Sequence, residues 1–126
     1  MLSVADNELM TRVSAGTPMG NLIREYWIPF MFSWELDTDG PPERTKLLGE
    51  DLVAFRDSSG KIGLLAENCP HRGASLYFGR NENSGLACIY HGWKFNTSGD
   101  CVEMPSEPAS SNFHERVRPV SYPVVE

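Results

Sequence analysis

Two of the chain's three cysteines and two of its three histidines fall between Cys69 and Trp93. They come as two pairs, Cys69-Pro70-His71-Arg72-Gly73 and Cys88-Ile89-Tyr90-His91-Gly92-Trp93, with sixteen residues separating His71 from Cys88. Each pair offers one soft thiolate and one borderline imidazole, donors suited to a transition metal. If the backbone at Cys69 is extended, His71 points to the same side, and Pro70 stiffens the link. Cys88 and His91 are three apart and converge through a tight turn at Gly92.

The distribution of these donors separates two metals. Zinc accepts two Cys and two His in a tetrahedral site, but zinc fingers usually pair Cys with Cys at one knuckle and His with His at another. A [2Fe–2S] centre of mixed ligation takes two thiolates on one iron and two imidazoles on the other. One Cys and one His from each of two loops matches the cluster. The flanking glycines let backbone N–H groups approach bridging sulfides. A structural zinc module is the alternative.

Such loops need a frame, and the rest of the chain supplies one that is mostly β. Residues 1–27 read as a helical N-terminal arm. Ser3 and Thr17-Pro18 are its helix starts, Gly16 is a break, and Met19, Leu22, Ile23 and Tyr26 follow at helical spacing. Residues 28–126 read as a domain carrying the binding loops at 68–73 and 88–93. Trp27–Leu36 reads as an aromatic strand with Pro29 at an edge. Residues 45–48 and 52–56 form a hairpin about a Gly49-Glu50-Asp51 turn, and 61–66 adds a strand after Asp57–Gly60. Ser75–Phe78 suits one helical turn, and Asn81–Gly85 a turn. Residues 93–95 and 101–104 make a further hairpin. Short strands at this spacing predict a small antiparallel β-barrel or sandwich. The stretch to Glu126 stays strand-like with no return strand after it, so the chain reads as the N-terminal piece of something longer.

Composition narrows the function classes. A formal charge of −6, with no clustered run among eleven Lys and Arg, argues against a nucleic-acid partner. No apolar run approaches a membrane span, and the N-terminus lacks a signal-peptide layout, so a cytoplasmic protein is expected. With Cys69 and Cys88 engaged, Cys101 has no disulfide partner, which suits a reducing compartment. No pair of carboxylates reads as general acid and base.

The two motifs, Cys-Pro-His-Arg-Gly and Tyr-His-Gly-Trp-Lys-Phe, resemble the N-terminal Rieske domain of Rieske non-haem iron ring-hydroxylating oxygenases. Met104–Pro108 and Tyr122–Glu126 are similar to the phthalate dioxygenase branch. The resemblance implies that Cys69 and Cys88 hold an inner iron. His71 and His91 would hold an outer iron, with their free ring nitrogens near the surface as the electron exit. It implies that Tyr90, Trp93 and Arg72 shield or tune the cluster. Trp93 stands where high-potential Rieske proteins carry a serine that bonds a sulfide. Those proteins also carry a disulfide between the loops, which this chain cannot build, so a low potential is expected.

The resemblance further implies a mononuclear Fe(II) site held by two histidines and a carboxylate, in a C-terminal domain. With His71 and His91 engaged, His114 alone remains, so that site is not expected within these residues. The implied function is one-electron transfer in an aromatic ring-hydroxylating or O-demethylating oxygenase. The implied donor is a flavin and iron–sulfur reductase or a ferredoxin, and the acceptor is a neighbouring oxygenase subunit of a homotrimer. An isolated fragment need not trimerise. A free-standing Rieske ferredoxin is the alternative carrier. Arg72 reads as an ion-pairing or docking residue, Cys101 as a small packed side chain, and His114 as a solvated one.

Overall fold

The computed structural model describes Met1–Glu126, and its two antiparallel sheets pack as a sandwich without closing into a barrel. Two short helices come first, α1 (Val4–Thr11) and α2 (Pro18–Ile23). Both start as the sequence predicts: the Ser3 hydroxyl accepts from the Asp6 N–H and the Thr17 hydroxyl from the Gly20 N–H, with Pro18 at the head of α2.

The first sheet has the order β1 (Glu43–Leu47), β2 (Glu50–Arg56), β3 (Ile62–Ala66) and β8 (Ser121–Tyr122). The second has the order β4 (Arg80–Glu82), β5 (Gly85–Ala87), β6 (Lys94–Phe95) and β7 (Cys101–Glu103). The β1–β2 turn lies one to two residues before the expected Gly49-Glu50-Asp51. Its central residues are Leu48 and Gly49, both at positive φ (49° and 85°). A two-residue hairpin loop needs that backbone at both positions, which frees Glu50 and Asp51 to begin β2. Asn83 and Ser84 do the same between β4 and β5.

β2 and β3 are buried on both faces, which explains why Leu52-Val53-Ala54-Phe55 reads as a continuous apolar run. Val53, Phe55 and Leu65 pack with Leu76, Leu86 and Phe95 in the main core, and that core runs on to Cys69, Cys88, Trp93, Cys101 and Met104. On the other face, Leu52, Ala54 and Leu64 pack with Leu36, and Phe30, Met31, Tyr122 and Val124 surround them. Gly63 lets the layers close: a Cβ there would meet the Phe55 ring at 2.6 Å and the Thr97 Cα at 3.0 Å.

Two expectations fail here. Trp27–Leu36 is not a strand; it is an irregular segment with one 3₁₀ turn at Ser33–Glu35. Pro29 brings no N–H to a ladder, and the segment serves as a cover, turning Phe30, Met31 and Leu36 onto the outer face of the first sheet. Arg56 pins it by donating to the Leu36 and Ser33 carbonyls. The closing stretch does find a partner: Leu64 pairs with Tyr122 and Leu65 with Ser121, so β8 adds to the free edge of β3.

A buried-edge network joins the arm to this sheet. The Glu50 carboxylate accepts from Arg24 at 2.5 Å and from the Tyr122 hydroxyl, while Arg24 also donates to the Val13 and Leu48 carbonyls. The Arg24 and Tyr122 hydrogen bonds hold the Glu50 pKa below its ordinary 4.5. A depressed carboxylate stabilises the fold fully above its unfolded pKa, and that contribution is lost as pH falls through the folded value. Glu50→Gln should therefore cost about 1 kcal/mol near neutrality. In urea melts from pH 7 to pH 3, the gap to the unsubstituted protein should shrink below about pH 4.5. A gap that stays constant over that range would refute the assignment.

Candidate metal centre

The two Cys/His loops are built alike. In the first, the Cys69 N–H donates to the Ala74 carbonyl at 2.8 Å and the Gly73 N–H donates back to the Cys69 carbonyl at 2.9 Å. In the second, the Cys88 N–H donates to Trp93 at 2.8 Å and the Gly92 N–H to Cys88 at 3.0 Å. Gly73 and Gly92 share φ +73°, a left-handed backbone that closes each turn. The extended geometry expected at Cys69–His71 is therefore replaced by a closed turn. The histidine follows its cysteine by two residues in one loop and by three in the other.

Each loop is anchored at its base. The first leaves the end of β3 and is closed by an Asn68–Ser75 bridge. Beside that bridge the Glu67 carboxylate accepts from Arg44 at 2.8 Å and from the Ser75 hydroxyl at 2.5 Å. The Arg44 guanidinium also lies 4.2 Å over the Tyr77 ring. The second loop spans the β5–β6 hairpin, between the paired residues Ala87 and Lys94. One binding loop thus hangs from each sheet.

The donors separate by chemistry. Cys69 and Cys88 are buried among core side chains. Burial pushes the Cys69 pKa up to about 11, and the nearby Cys88 thiol adds to the rise. His71 is exposed and His91 half-buried, with ring centroids 4.5 Å apart and planes at 57°. The His71 ring stacks on Trp93, 4.3 Å away and only 8° from parallel. Its pKa is lowered first by desolvation, then by His91 and Arg72. Thiols meet thiols and imidazoles meet imidazoles, a pattern that suits two irons and not one tetrahedral zinc.

The remaining candidates divide. Trp93 is 6% exposed, while Tyr90 is 58% exposed and lies with its ring 3.8 Å from that of His91. Arg72 is exposed and forms no ion pair within the chain. Cys101 is buried in β7, its thiol donating to the Glu103 carbonyl at 3.6 Å. His114 sits half-buried in a 3₁₀ turn, Phe113–Arg116. Two contacts escaped the sequence reading: Phe113 packs edge-on against Trp93 at 6.1 Å, and Pro105 backs Gly92. Phe113 lies in no periodic pattern or motif, and although Pro105 belongs to the Met104–Pro108 stretch, nothing in the sequence marks its contact with Gly92.

This arrangement is that of a known family. Residues 26–119 match the family model described as the Rieske [2Fe-2S] domain, and the chain belongs to that family. Its cofactor is accordingly the [2Fe–2S] cluster.

Among curated proteins, the chain is 54% identical to the oxygenase subunit of 3-chlorobenzoate-3,4-dioxygenase from Comamonas testosteroni, over all of this chain and 29% of that protein. It is 50% identical to the oxygenase subunit of phthalate 4,5-dioxygenase from Pseudomonas putida, over 97% of this chain and 28% of that protein. The chain thus spans under a third of the length of these relatives. Among solved structures, dicamba monooxygenase with non-heme iron and dicamba superposes with a TM-score of 0.70 at 31% identity, over 79% of this chain and 29% of the other. The reduced complex between oxygenase and ferredoxin in carbazole 1,9a-dioxygenase gives 0.67 at 35%, over 80% and 26%.

The two loop glycines allow a graded test. A methyl group at Gly73 meets nothing within 4 Å, so Gly73→Ala carries only the left-handed strain of roughly 1–2 kcal/mol. At Gly92 the added Cβ would also press on Pro105 Cγ at 3.1 Å. Gly92→Ala should lower the melting midpoint more than Gly73→Ala. Equal losses in calorimetry would show that Pro105 yields freely.

Proposed function

We propose that Cys69 and Cys88 hold the inner iron, and His71 and His91 the outer iron, of the [2Fe–2S] cluster. On this reading the chain is the electron-transfer domain of an aromatic ring-hydroxylating or O-demethylating oxygenase. The observation that carries it is the split between a dry pair of thiols and an outward pair of imidazoles. When bound, the cluster supplies one-electron storage. The residues around it set the conditions. The core excludes water from the sulfur side, and the two loops fix the imidazoles with an edge toward the surface. Trp93 and Tyr90 lie against the two rings, and Arg72 is free to meet a partner.

The division of labour follows. Residues 1–27 form an arm, and 28–126 the electron-transfer domain with its loops at 68–73 and 88–93. Oxygen activation at a mononuclear Fe(II) belongs to a separate catalytic domain, as the relatives' greater length supports. A ferredoxin or a flavin and iron–sulfur reductase is the donor, which the ferredoxin-bound carbazole oxygenase supports. A neighbouring oxygenase subunit, within a homotrimer, is the acceptor. The relatives' names point to aromatic carboxylates or aryl ethers as substrates.

Loaded protein should be red-brown and contain iron and acid-labile sulfide in equal amounts. Cys69→Ser and Cys88→Ser should each abolish both, while a colourless zinc protein would end the proposal. A redox titration should place the midpoint toward the low end of the Rieske range of roughly −150 to +300 mV, and a clearly positive value would contradict it. Because imidazole ligands at the surface couple reduction to proton uptake, the midpoint should fall as pH rises above neutrality. A flat profile from about pH 6 to 11 would argue against such ligands.

A further inference from the structure

The indole N–H of Trp93 has no acceptor. The atom is fully buried, out of reach of water, and forms no hydrogen bond with any protein group. An orphaned buried donor costs roughly 1–3 kcal/mol, so such groups normally have a use. The buried core side chains grouped with it carry no oxygen acceptor. The core cluster that contains Trp93 consists of apolar side chains and the sulfur of Cys69, Cys88, Cys101 and Met104. None of these sulfurs bonds to it as they stand.

The placement of the ring is fixed on three sides. The Trp93 carbonyl accepts from the Cys88 N–H, which makes Trp93 the closing residue of the second loop. The indole face stacks on His71 of the first loop, and Phe113 meets it edge-on. The indole therefore bridges the two loops, in contact with one proposed ligand of the outer iron and in the same core as both proposed ligands of the inner one.

We propose that Trp93 Nε1–H donates a hydrogen bond to sulfur at the [2Fe–2S] cluster, either a bridging sulfide or a cysteine thiolate. The inference rests on the ligand assignment above. Its consequence is a definite sign. Reduction adds negative charge to the cluster, a hydrogen bond to sulfur stabilises the more negative state, and the potential rises. Trp93 would then be a tuning residue as well as a packed one.

Trp93→Phe removes the N–H and keeps an aromatic face for His71. In cluster-loaded protein it should make reduction less favourable by about tenfold, which for one electron is a fall of 59 mV in midpoint. The Fe–S stretching bands of the unsubstituted protein should shift in heavy water, and part of that shift should vanish in the variant. Labelling the indole nitrogens with ¹⁵N should give a hyperfine coupling to the reduced cluster. Trp27 and Trp34, both exposed, are not expected to contribute to it. The labelling measurement needs no variant, so it decides the matter even if Trp93→Phe fails to hold its cluster. Rieske-type spectra without an indole coupling, or an unchanged midpoint in a stable variant, would overturn the role of Trp93 alone. Absence of those spectra in loaded protein would overturn the ligand assignment and this inference together.

Discussion

The cost of placing charged sulfur in a dry core governs the rest of this molecule. Cys69 and Cys88 lie among Val53, Phe55, Leu76 and Phe95. There the Cys69 thiolate that a metal needs is disfavoured, as its pKa of about 11 expresses. In the proposed role, only a multiply charged partner at the sulfurs makes their ionisation favourable. The main-chain hydrogen bonds that close each loop fix both cysteines at the loop bases. The two left-handed glycines matter for the same reason: they let a short turn bury its first residue while carrying its histidine outward.

The imidazole side follows the opposite logic. Two imidazolium rings 4.5 Å apart would repel each other, and Arg72 adds a third positive charge. Desolvation is the largest cause of the lowered His71 pKa, and the ring stacks on Trp93. All of these favour the neutral ring, which is the form that binds a metal. The two ends of the site thus differ in what opposes binding. Desolvation opposes ionising Cys69, whereas His71 is biased toward the neutral form a metal takes.

Much of this was legible in the sequence, because the responsible signals are local. The Cys/His spacing, the caps at Ser3 and Thr17, and the short hairpins all depend on residues within a few positions of one another. The failures share a cause. Trp27–Leu36 has the aromatic composition of a strand, yet its neighbours are the outer face of β2 and β3 and the guanidinium of Arg56, twenty residues beyond Leu36. The partner of β8 is an edge of β3 more than fifty residues earlier. Phe113 reaches Trp93 by the same kind of long-range closure. Composition records that such segments are apolar, but the surface they meet is set only once the sheets have packed.

The way the layers are tied together bears on what can vary without harm to the site. Arg56 joins the Ser33 and Leu36 carbonyls, the Gly60 carbonyl and the Glu126 carboxylate. Arg24, Glu50 and Tyr122 join the helical arm to β2 and β8. Both networks sit on the first sheet, where they hold the cover and the chain ends. The second binding loop belongs to the other sheet and is braced by a different set: Pro105 behind Gly92, Phe113 on Trp93, and the Lys94–Glu103 pair across β6 and β7. Changes in the cover should therefore alter stability more than they alter the metal centre. The residues that could shift its electronic properties include those packed around Trp93, since that buried side chain belongs to the second loop and stacks on His71 of the first.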